Sequence, residues 1–385
     1  MVGLSAGTIS ASMLRPDGYR TATTNERLIL TKIRMHGQLS QAELARMTGL
    51  TAQSVMRIID ALLSRGILIE CAPVIAGRGK PSTPIRLNPD AAYSVGLSIM
   101  TDAVALVVMD LAGGIRSSAR TPLISVDPVH AIRQMRELIE TTVSELKIRP
   151  DHIVGAGVGI TGYFVDATAR VNPPKQLEPW ALVPLDSLLC EGLGMPVWID
   201  NDGNVAAVGE AMVGAGSSVA SFAYLYFSAG LGGGLFVDGR PVRGRSGNAG
   251  EFAAILPLDW PQPNLEQLRL SVNAAGGNYA DLNDLLDEVT PATPGVMAWM
   301  DGAVRSLNLV ISSISAVLDP DLIVFGGRMP KQLAEAIIPR LEYVNPPRRD
   351  HPRPVPSIVP SQVIDDATAV GAASIPLRAA FFDPT

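Results

Sequence analysis

The chain has 385 residues, 47% hydrophobic and 18% charged, so at about 100–200 residues per domain we expect two or three folded domains and no extended disorder. Two cysteines, Cys71 and Cys190, exclude a disulfide framework and a multi-cysteine zinc site. No stretch reaches the roughly 18 uncharged apolar residues of a membrane span, and the N-terminus lacks a signal-peptide pattern. We therefore expect a cytoplasmic protein with no membrane partner.

The net charge of −6 is unevenly divided along the chain. Residues 1–90 hold 11 Lys and Arg against 6 Asp and Glu, a balance of +5, whereas residues 91–385 hold 20 against 31, a balance of −11. We call residues 21–90 the head and residues 91–385 the body. A basic head on an acidic body is typical of a nucleic-acid-binding module joined to a second function.

Three helices are predicted in the head, after a flexible tail over residues 1–20. Residues 24–35 carry apolar side chains at helical spacing. A second helix starts at the capping box SQAE, in which Ser40 and Glu43 satisfy each other's backbone amides, and Thr51 caps a third helix. Two short helices joined by a glycine-containing turn are typical of a helix-turn-helix.

The recognition helix of such a motif, here the third helix of the head, places its N-terminal residues in the major groove. Glutamine pairs there with adenine and arginine with guanine. Two apolar strands then flank a glycine-rich turn, whose cations can reach phosphates or the minor groove. We predict a winged helix-turn-helix over residues 21–90, with a helical protein–protein module as the alternative. The predicted DNA contacts are Thr51, Gln53, Ser54, Arg57, Arg78 and Lys80.

The body shows one pattern of strands and helices twice. Three strands, an amphipathic helix and a fourth strand occur between residues 92 and 160, and a hairpin, a long helix and a strand follow between residues 221 and 327. This pattern predicts two α/β lobes, residues 91–200 and 201–385, with a cleft that suits a ligand. The last helix, 366–380, could pack back on the first lobe.

Three motifs in the body carry polar chemistry. Asn201 and Asp202 follow an apolar strand, where an amide beside a carboxylate can bracket the vicinal hydroxyls of a sugar or can simply cap a helix. The glycine run 228–234 is either an anion-binding nest or a glycine hairpin. Glu251, in an Ala-Gly-Glu segment, either accepts two hydrogen bonds from a ligand or is solvated.

Together these motifs resemble the ROK family of repressors and sugar kinases over most of residues 20–380. The matching segments are IDNDGNVAAVGE, GLGGGLFVDGRPVRGRSGNAGE and DPDLIVFGGRM, while RGKPSTPIRLNPDAAY resembles the link between winged helix and body in the family's repressors. The resemblance implies a two-lobed actin/hexokinase-like (ribonuclease H-like) body behind the winged helix-turn-helix. That fold agrees with the order of strands and helices.

The family's kinases share an Asp-x-Gly-Gly-Thr hairpin that admits the phosphates of ATP. Here the matching stretch is Ser98-Ile99-Met100-Thr101-Asp102, which loses the first carboxylate and places Asp102 at the threonine position. Phosphoryl transfer depends on positioning and charge stabilisation, and a carboxylate aimed at the phosphates opposes both. The resemblance therefore implies a protein that is not an enzyme and takes no ATP, with an ATP-dependent sugar kinase as the alternative.

Many family members also bind a structural zinc through a histidine after the Ala-Gly-Glu segment and a cysteine-rich loop. Here no histidine closely follows Glu251 and no cysteine lies beyond Cys190. We expect neither this zinc nor another metal cofactor.

By resemblance, the sugar-binding residues are Asn201, Asp202, Glu251 and Asn172. Asp202 stands where the kinases keep their general base, and without ATP it would act only as a hydrogen-bond acceptor. We therefore predict a transcriptional repressor of carbohydrate genes that binds operator DNA, responds to a sugar effector and associates with itself as a dimer or tetramer. The kinase and a DNA-binding protein whose body is only a dimerisation scaffold remain the alternatives.

Overall fold

The structure is a computed structural model that describes residues 22–73, 83–165, 170–363 and 366–382. The predicted tail over residues 1–20 and the predicted DNA contacts Arg78 and Lys80 lie outside the described residues. None of the described helices is both long and apolar enough to cross a bilayer.

The head is a winged helix-turn-helix, as predicted. Its three-stranded antiparallel sheet has the order β1-β3-β2. The elements are α1 (Thr24–His36), β1 (Gln38–Leu39), α2 (Gln41–Thr48), α3 (Ala52–Ser64), β2 (Leu68–Glu70) and β3 (Ile85–Leu87).

Polar caps fix where the helices of the head begin. Ser40 and Glu43 form the predicted capping box at α2, and the Thr51 side chain accepts a hydrogen bond from the backbone N–H of Ser54 at the start of α3. On α3, Val55 and Ile59 are fully buried, so the opposite face of this helix is free for contact with DNA.

The first lobe contains a five-stranded sheet with the order β10-β7-β4-β5-β6. Strands β4, β5 and β7 are buried along their whole length, which is typical of strands covered on both faces. The elements are β4 (Tyr93–Ile99), β5 (Ala103–Asp110), β6 (Ile115–Pro122), α4 (Pro128–Glu145), β7 (Ile153–Ile160), β8 (Tyr163–Phe164), β9 (Val171–Asn172), α5 (Leu185–Leu193) and β10 (Val197–Asn201).

The second lobe repeats this topology in the order β13-β12-β11-β14-β15. In both sheets a three-strand antiparallel meander is extended by two strands parallel to its first strand, so the predicted repeat is confirmed. The elements are α6 (Asp202–Val213), β11 (Phe222–Phe227), β12 (Leu231–Val237), β13 (Arg240–Val242), α7 (Leu265–Ala274), α8 (Leu282–Leu286), α9 (Val296–Leu318), β14 (Leu322–Gly327), α10 (Lys331–Ile337), β15 (Ser357–Pro360) and α11 (Ala367–Phe381).

The last helix, α11, packs back on the sheet of the first lobe and on α6. Its backbone comes so close that a Cβ at Gly96 or Gly157 of the sheet would collide with the α11 backbone. A Cβ at Gly371 of α11 would in turn collide with the Val205 carbonyl of α6. Small residues therefore permit the contact that joins the lobes.

The C-terminal end of α11 also holds the head. The backbone N–H of Ala22 donates to the Ala380 carbonyl at 2.9 Å, and the Arg27 guanidinium donates to the carbonyls of Phe382 at 3.0 Å and Ala379 at 2.6 Å. The Arg34 guanidinium lies 5.0 Å from the centre of the Phe382 ring. Burial lowers the pKa of Arg34 to about 10. The apolar core of the head is continuous with that of the first lobe.

Arg27→Ala removes the donor to three carbonyls, because Arg27 also bonds the Ala22 carbonyl at 3.0 Å. We expect a loss of about 1–3 kcal/mol in unfolding free energy and faster proteolysis at the junction of head and body. Thermal unfolding and limited trypsin digestion measure both, with the exposed Arg46→Ala as the control. Equal stability of the two variants would show that Arg27 does not hold the head.

Candidate functional site

A cavity of about 330 Å³ lies between the lobes, which is the lower end of the range for small-molecule sites. Both lobes contribute to its wall, through β8 and the end of β10 on one side and the turn between β11 and β12 on the other. The wall residues with polar side chains are Thr161, Tyr163, Asn172, Gln176, Asn201, Asp202, Tyr226, Ser228 and Glu251.

Asn201 ends β10 and serves mainly as the cap of α6. Its Oδ1 accepts hydrogen bonds from the backbone N–H groups of Gly203 at 2.9 Å and Asn204 at 3.2 Å. Its Nδ2 donates to the Gly162 carbonyl at 2.8 Å, which leaves one amide hydrogen for a ligand. The helix-cap interpretation of this motif therefore holds, and a ligand contact adds to it only through that hydrogen.

Asp202 is the first residue of α6 and is 5% exposed. The Thr161 hydroxyl donates to its Oδ2 at 2.7 Å and the Gly203 backbone N–H donates to its Oδ1 at 2.8 Å. Burial raises the pKa of Asp202 to about 6, although both hydrogen bonds oppose the rise. Each carboxylate oxygen keeps a lone pair that could accept from a ligand hydroxyl.

Glu251 and Asn172 complete the predicted sugar site on the cavity wall. Glu251 is half-buried and its carboxylate has no hydrogen-bond partner among the described residues, and burial, followed by the charge of Asp202, raises the pKa of this carboxylate. Asn172 is exposed and its Nδ2 donates to the Tyr163 hydroxyl at 2.7 Å. The cavity thus brings all four predicted residues together.

The glycine run 228–234 forms the turn of the β11–β12 hairpin and most of β12. A Cβ at Gly233 would collide with the Tyr224 carbonyl, and Gly203 and Gly250 both approach the Gly233 backbone too closely for a side chain of their own. Packing of the start of α6 on β12 therefore accounts for Gly233 and Gly234, whereas Gly230 and Gly232 line the cavity and have open space beside them.

Asp102 has a different environment from the one that the sequence predicts. Its carboxylate does not point into an open phosphate site, since Arg328 Nη1 lies 2.7 Å from Oδ1 and 2.9 Å from Oδ2. Met100, at a glycine position of the kinase hairpin, is 1% exposed. This region is therefore packed and paired within the chain.

The candidate DNA surface is the exposed face of α3. Gln53 and Arg57 are exposed there, whereas the Thr51 hydroxyl donates to the Ser54 hydroxyl at 2.9 Å as part of the cap. Met56, at 48% exposure, shares this face and was missing from the predicted contacts. The buried positions on α3 leave Met56 outward, so its helical position could have revealed it.

Sequence reasoning also missed parts of the cavity wall. The Tyr226 hydroxyl is buried on that wall and has no hydrogen-bond partner among the described residues. Thr161 and Gln176 line the wall from a bend after β7 and a short 3-10 helix, and no motif marks them. Tyr226 lies near the end of a central strand, and its polar side chain there was the signal in the sequence that could have placed it on the cavity wall.

Two family models match segments of the chain. Residues 94–259 match the ROK family and residues 23–74 match the MarR family. The chain is 28% identical over 364 residues to the uncharacterized protein y4fQ of Sinorhizobium fredii, covering 93% of this chain and 92% of that protein. It is 27% identical over 228 residues to a xylose repressor of Caldicellulosiruptor bescii, covering 59% of this chain and 57% of the repressor.

One solved structure matches nearly the whole chain. It is a ROK family transcriptional regulator described as a homolog of the Escherichia coli MLC protein, with a TM-score of 0.70 and 19% identity. The match covers 94% of this chain and 96% of that one, so a helix-turn-helix and a two-lobed body occur together in a known fold.

Asp202→Asn tests the titration of the cavity carboxylate. Because burial raises the pKa of Asp202 from 3.8 to about 6, the unfolded chain loses its proton at lower pH than the folded chain. Stability therefore falls as the pH rises from about 4 to about 6, by up to about 3 kcal/mol, and stays lower above that window.

We expect Asp202→Asn to melt about 2–4 °C above the parent protein at pH 7.5 and at the same temperature near pH 4. Thermal unfolding across this range measures the difference, and Asp259→Asn at an exposed position is the control. A Tm difference that does not change with pH would contradict the assignment.

Proposed function

Because residues 94–259 match the ROK family and residues 23–74 match the MarR family, we propose that the chain is a ROK-type regulator that represses carbohydrate genes in response to a sugar. One observation carries the proposal: a winged helix-turn-helix and an interlobe cavity with two carboxylates are joined by a single helix, α11. The name of the xylose repressor relative makes D-xylose the first effector to test.

The cavity suits a small polyhydroxylated ligand. Asp202 and Glu251 provide acceptor oxygens, and the remaining amide hydrogen of Asn201 provides a donor. A compact ligand with neighbouring hydroxyl groups matches this set. We propose that neither zinc nor another cofactor takes part, since the chain lacks the cysteines and the histidine of the family's zinc site.

We propose that the body does not transfer phosphoryl groups. Asp202 remains at the general-base position, but Asp102 is paired with Arg328 where a kinase would admit phosphates. An assay of ADP release on hexoses and N-acetylhexosamines tests this statement. Turnover at about 1 s⁻¹ or above would favour the kinase.

A route for coupling runs along α11. At its start the Thr368 hydroxyl donates to the Asp202 carbonyl at 3.2 Å, and at its end Arg27 of the head donates to the Phe382 carbonyl at 3.0 Å. A ligand that changes the position of Asp202 would therefore move the element that holds the head. In a self-associated repressor, such a movement would change the spacing of the two heads on an operator.

The DNA arm of the proposal is tested with Arg57→Ala. We expect this variant to bind the region upstream of its own gene about 10–100-fold more weakly, because a direct base or phosphate contact is lost. Gel-shift titration at low salt measures the change, with the exposed Arg133→Ala of α4 as the control. Failure of the parent protein to bind this DNA at low salt would refute the repressor.

The sugar arm uses Asp202→Asn and Glu251→Gln. We expect both variants to bind DNA as the parent does, yet to need at least about tenfold more sugar for the same shift, because an acceptor for a ligand hydroxyl is lost. Gel shifts with D-xylose, hexoses and N-acetylhexosamines measure the response, with Asp259→Asn as the control.

If no sugar on the panel alters either DNA binding or the Tm of the parent protein, the body is a dimerisation scaffold, because a bound ligand at 100 times its Kd would add about 2.7 kcal/mol.

A further inference from the structure

Four side chains join the two lobes outside the cavity wall. Arg328 follows β14 in the second lobe and makes a two-oxygen ion pair with Asp102 in the turn between β4 and β5. Arg328 Nη2 also donates to Asn283 Oδ1 of α8 at 2.7 Å, and Arg120 Nη2 of β6 donates to the same oxygen at 2.6 Å. Two residues of each lobe thus meet at one point.

The central ion pair of this group is buried. The Arg328 side chain is 2% exposed and that of Asp102 is 12% exposed, whereas Arg120 lies exposed at the edge. A buried charge that loses its partner is strongly unfavourable, so replacing either residue alone would favour a state in which the lobes separate and the remaining charge reaches water. Arg328 uses both terminal nitrogens across this contact, because Nη1 donates to the Asp102 carboxylate and Nη2 donates to Asn283.

The lobes also touch beside the cavity, but through weaker contacts. Asn248 of the second lobe exchanges two hydrogen bonds of 2.8 Å with the backbone of Phe164, which follows Tyr163 of the cavity wall. Arg243, which pairs with Asp200 at 3.0 Å, is 54% exposed. An exposed pair contributes little, so the buried pair is the stronger restraint on the separation of the lobes.

The same cations act on the start of α11. Burial raises the pKa of Asp366, the N-cap residue of α11, and the charges of Arg120 and Arg328 oppose the rise. Asp366 accepts a hydrogen bond from the backbone N–H of Ala369 at 2.8 Å. Arg120 and Arg328 therefore lie within electrostatic reach of the helix that joins the lobes to the head.

We propose that Asp102, Arg120, Asn283 and Arg328 form an interlobe clasp that holds the body closed in place of a nucleotide. The clasp sets the resting separation of the lobes, so closure requires no ATP and the state of the body responds to the cavity ligand alone. The response to the cavity ligand rests on the proposed function, whereas the clasp itself does not.

Hydrogen–deuterium exchange of the full chain, without DNA or sugar, tests the clasp. We expect Arg328→Met and Asp102→Asn each to raise exchange at least about tenfold in segments 98–103 and 322–328, with no change in α4. The double variant should exchange no faster than the faster single variant, since the two residues act as one pair. Arg136→Met, which breaks the exposed Arg136–Glu140 pair, is the control and should change nothing.

Asn283→Ala is the milder variant if the charge variants fail to fold, because it removes three hydrogen bonds and keeps the ion pair. We expect faster exchange in the same two segments, by a smaller factor. Unchanged exchange in Asn283→Ala, or additive effects in the double variant, would overturn the clasp. Protection of segment 98–103 in the parent protein by Mg²⁺ and ATP would also overturn it.

These results do not depend on operator binding. If the exchange results support the clasp but the protein does not bind DNA, the clasp stands and the repressor is refuted. If the protein binds DNA but the exchange results contradict the clasp, the repressor stands and the clasp is refuted.

Discussion

Burial of α11 is the constraint on which the rest of the structure depends. The helix lies against β4, β7 and α6, and the close approach requires glycine at Gly96, Gly157 and Gly371. Its first turn bonds to the backbone of the cavity residue Asp202, and its last residues hold α1 of the head. Because interiors are close-packed, a helix held on all sides moves as a unit or not at all. The positions of cavity, lobes and head are therefore linked.

This linkage explains how ligand binding in the cavity and DNA binding by the head can act on the same conformational equilibrium. A ligand shifts a conformational equilibrium only by its difference in affinity for the two states, and the effect between two sites is reciprocal. In this chain the cavity carboxylate of Asp202 lies at the start of α6, which packs along α11. The buried Arg328 and Asp102 are not part of the cavity wall. The lobes thus meet both at a cavity that a ligand can fill and at contacts that the chain itself makes.

Local signals in the sequence predicted much of the fold, and non-local contacts account for what they missed. Caps at Ser40 and Thr51 were sufficient to predict the helices of the head, and the repeated order of strands and helices was sufficient to predict the two lobes. Each signal comes from residues that are close together in sequence. The partner of Asp102 could not be inferred, because Arg328 lies 226 residues away in sequence. Likewise, the cap and ligand interpretations of Asn201 share one residue pattern, and its hydrogen bonds alone separate them.

The continuous core between head and body bears on how such chains can diversify. A head that folded separately could be exchanged between relatives by recombination at a linker. Here Ala22, Arg27 and Arg34 all contact the last residues of α11, almost at the opposite end of the chain. A chimaera that takes its head from one parent must also take its final helix from that parent. Otherwise new substitutions must restore the contact between the head and the end of α11. Changes in operator preference should therefore accumulate by point substitution on α3 more readily than by domain shuffling.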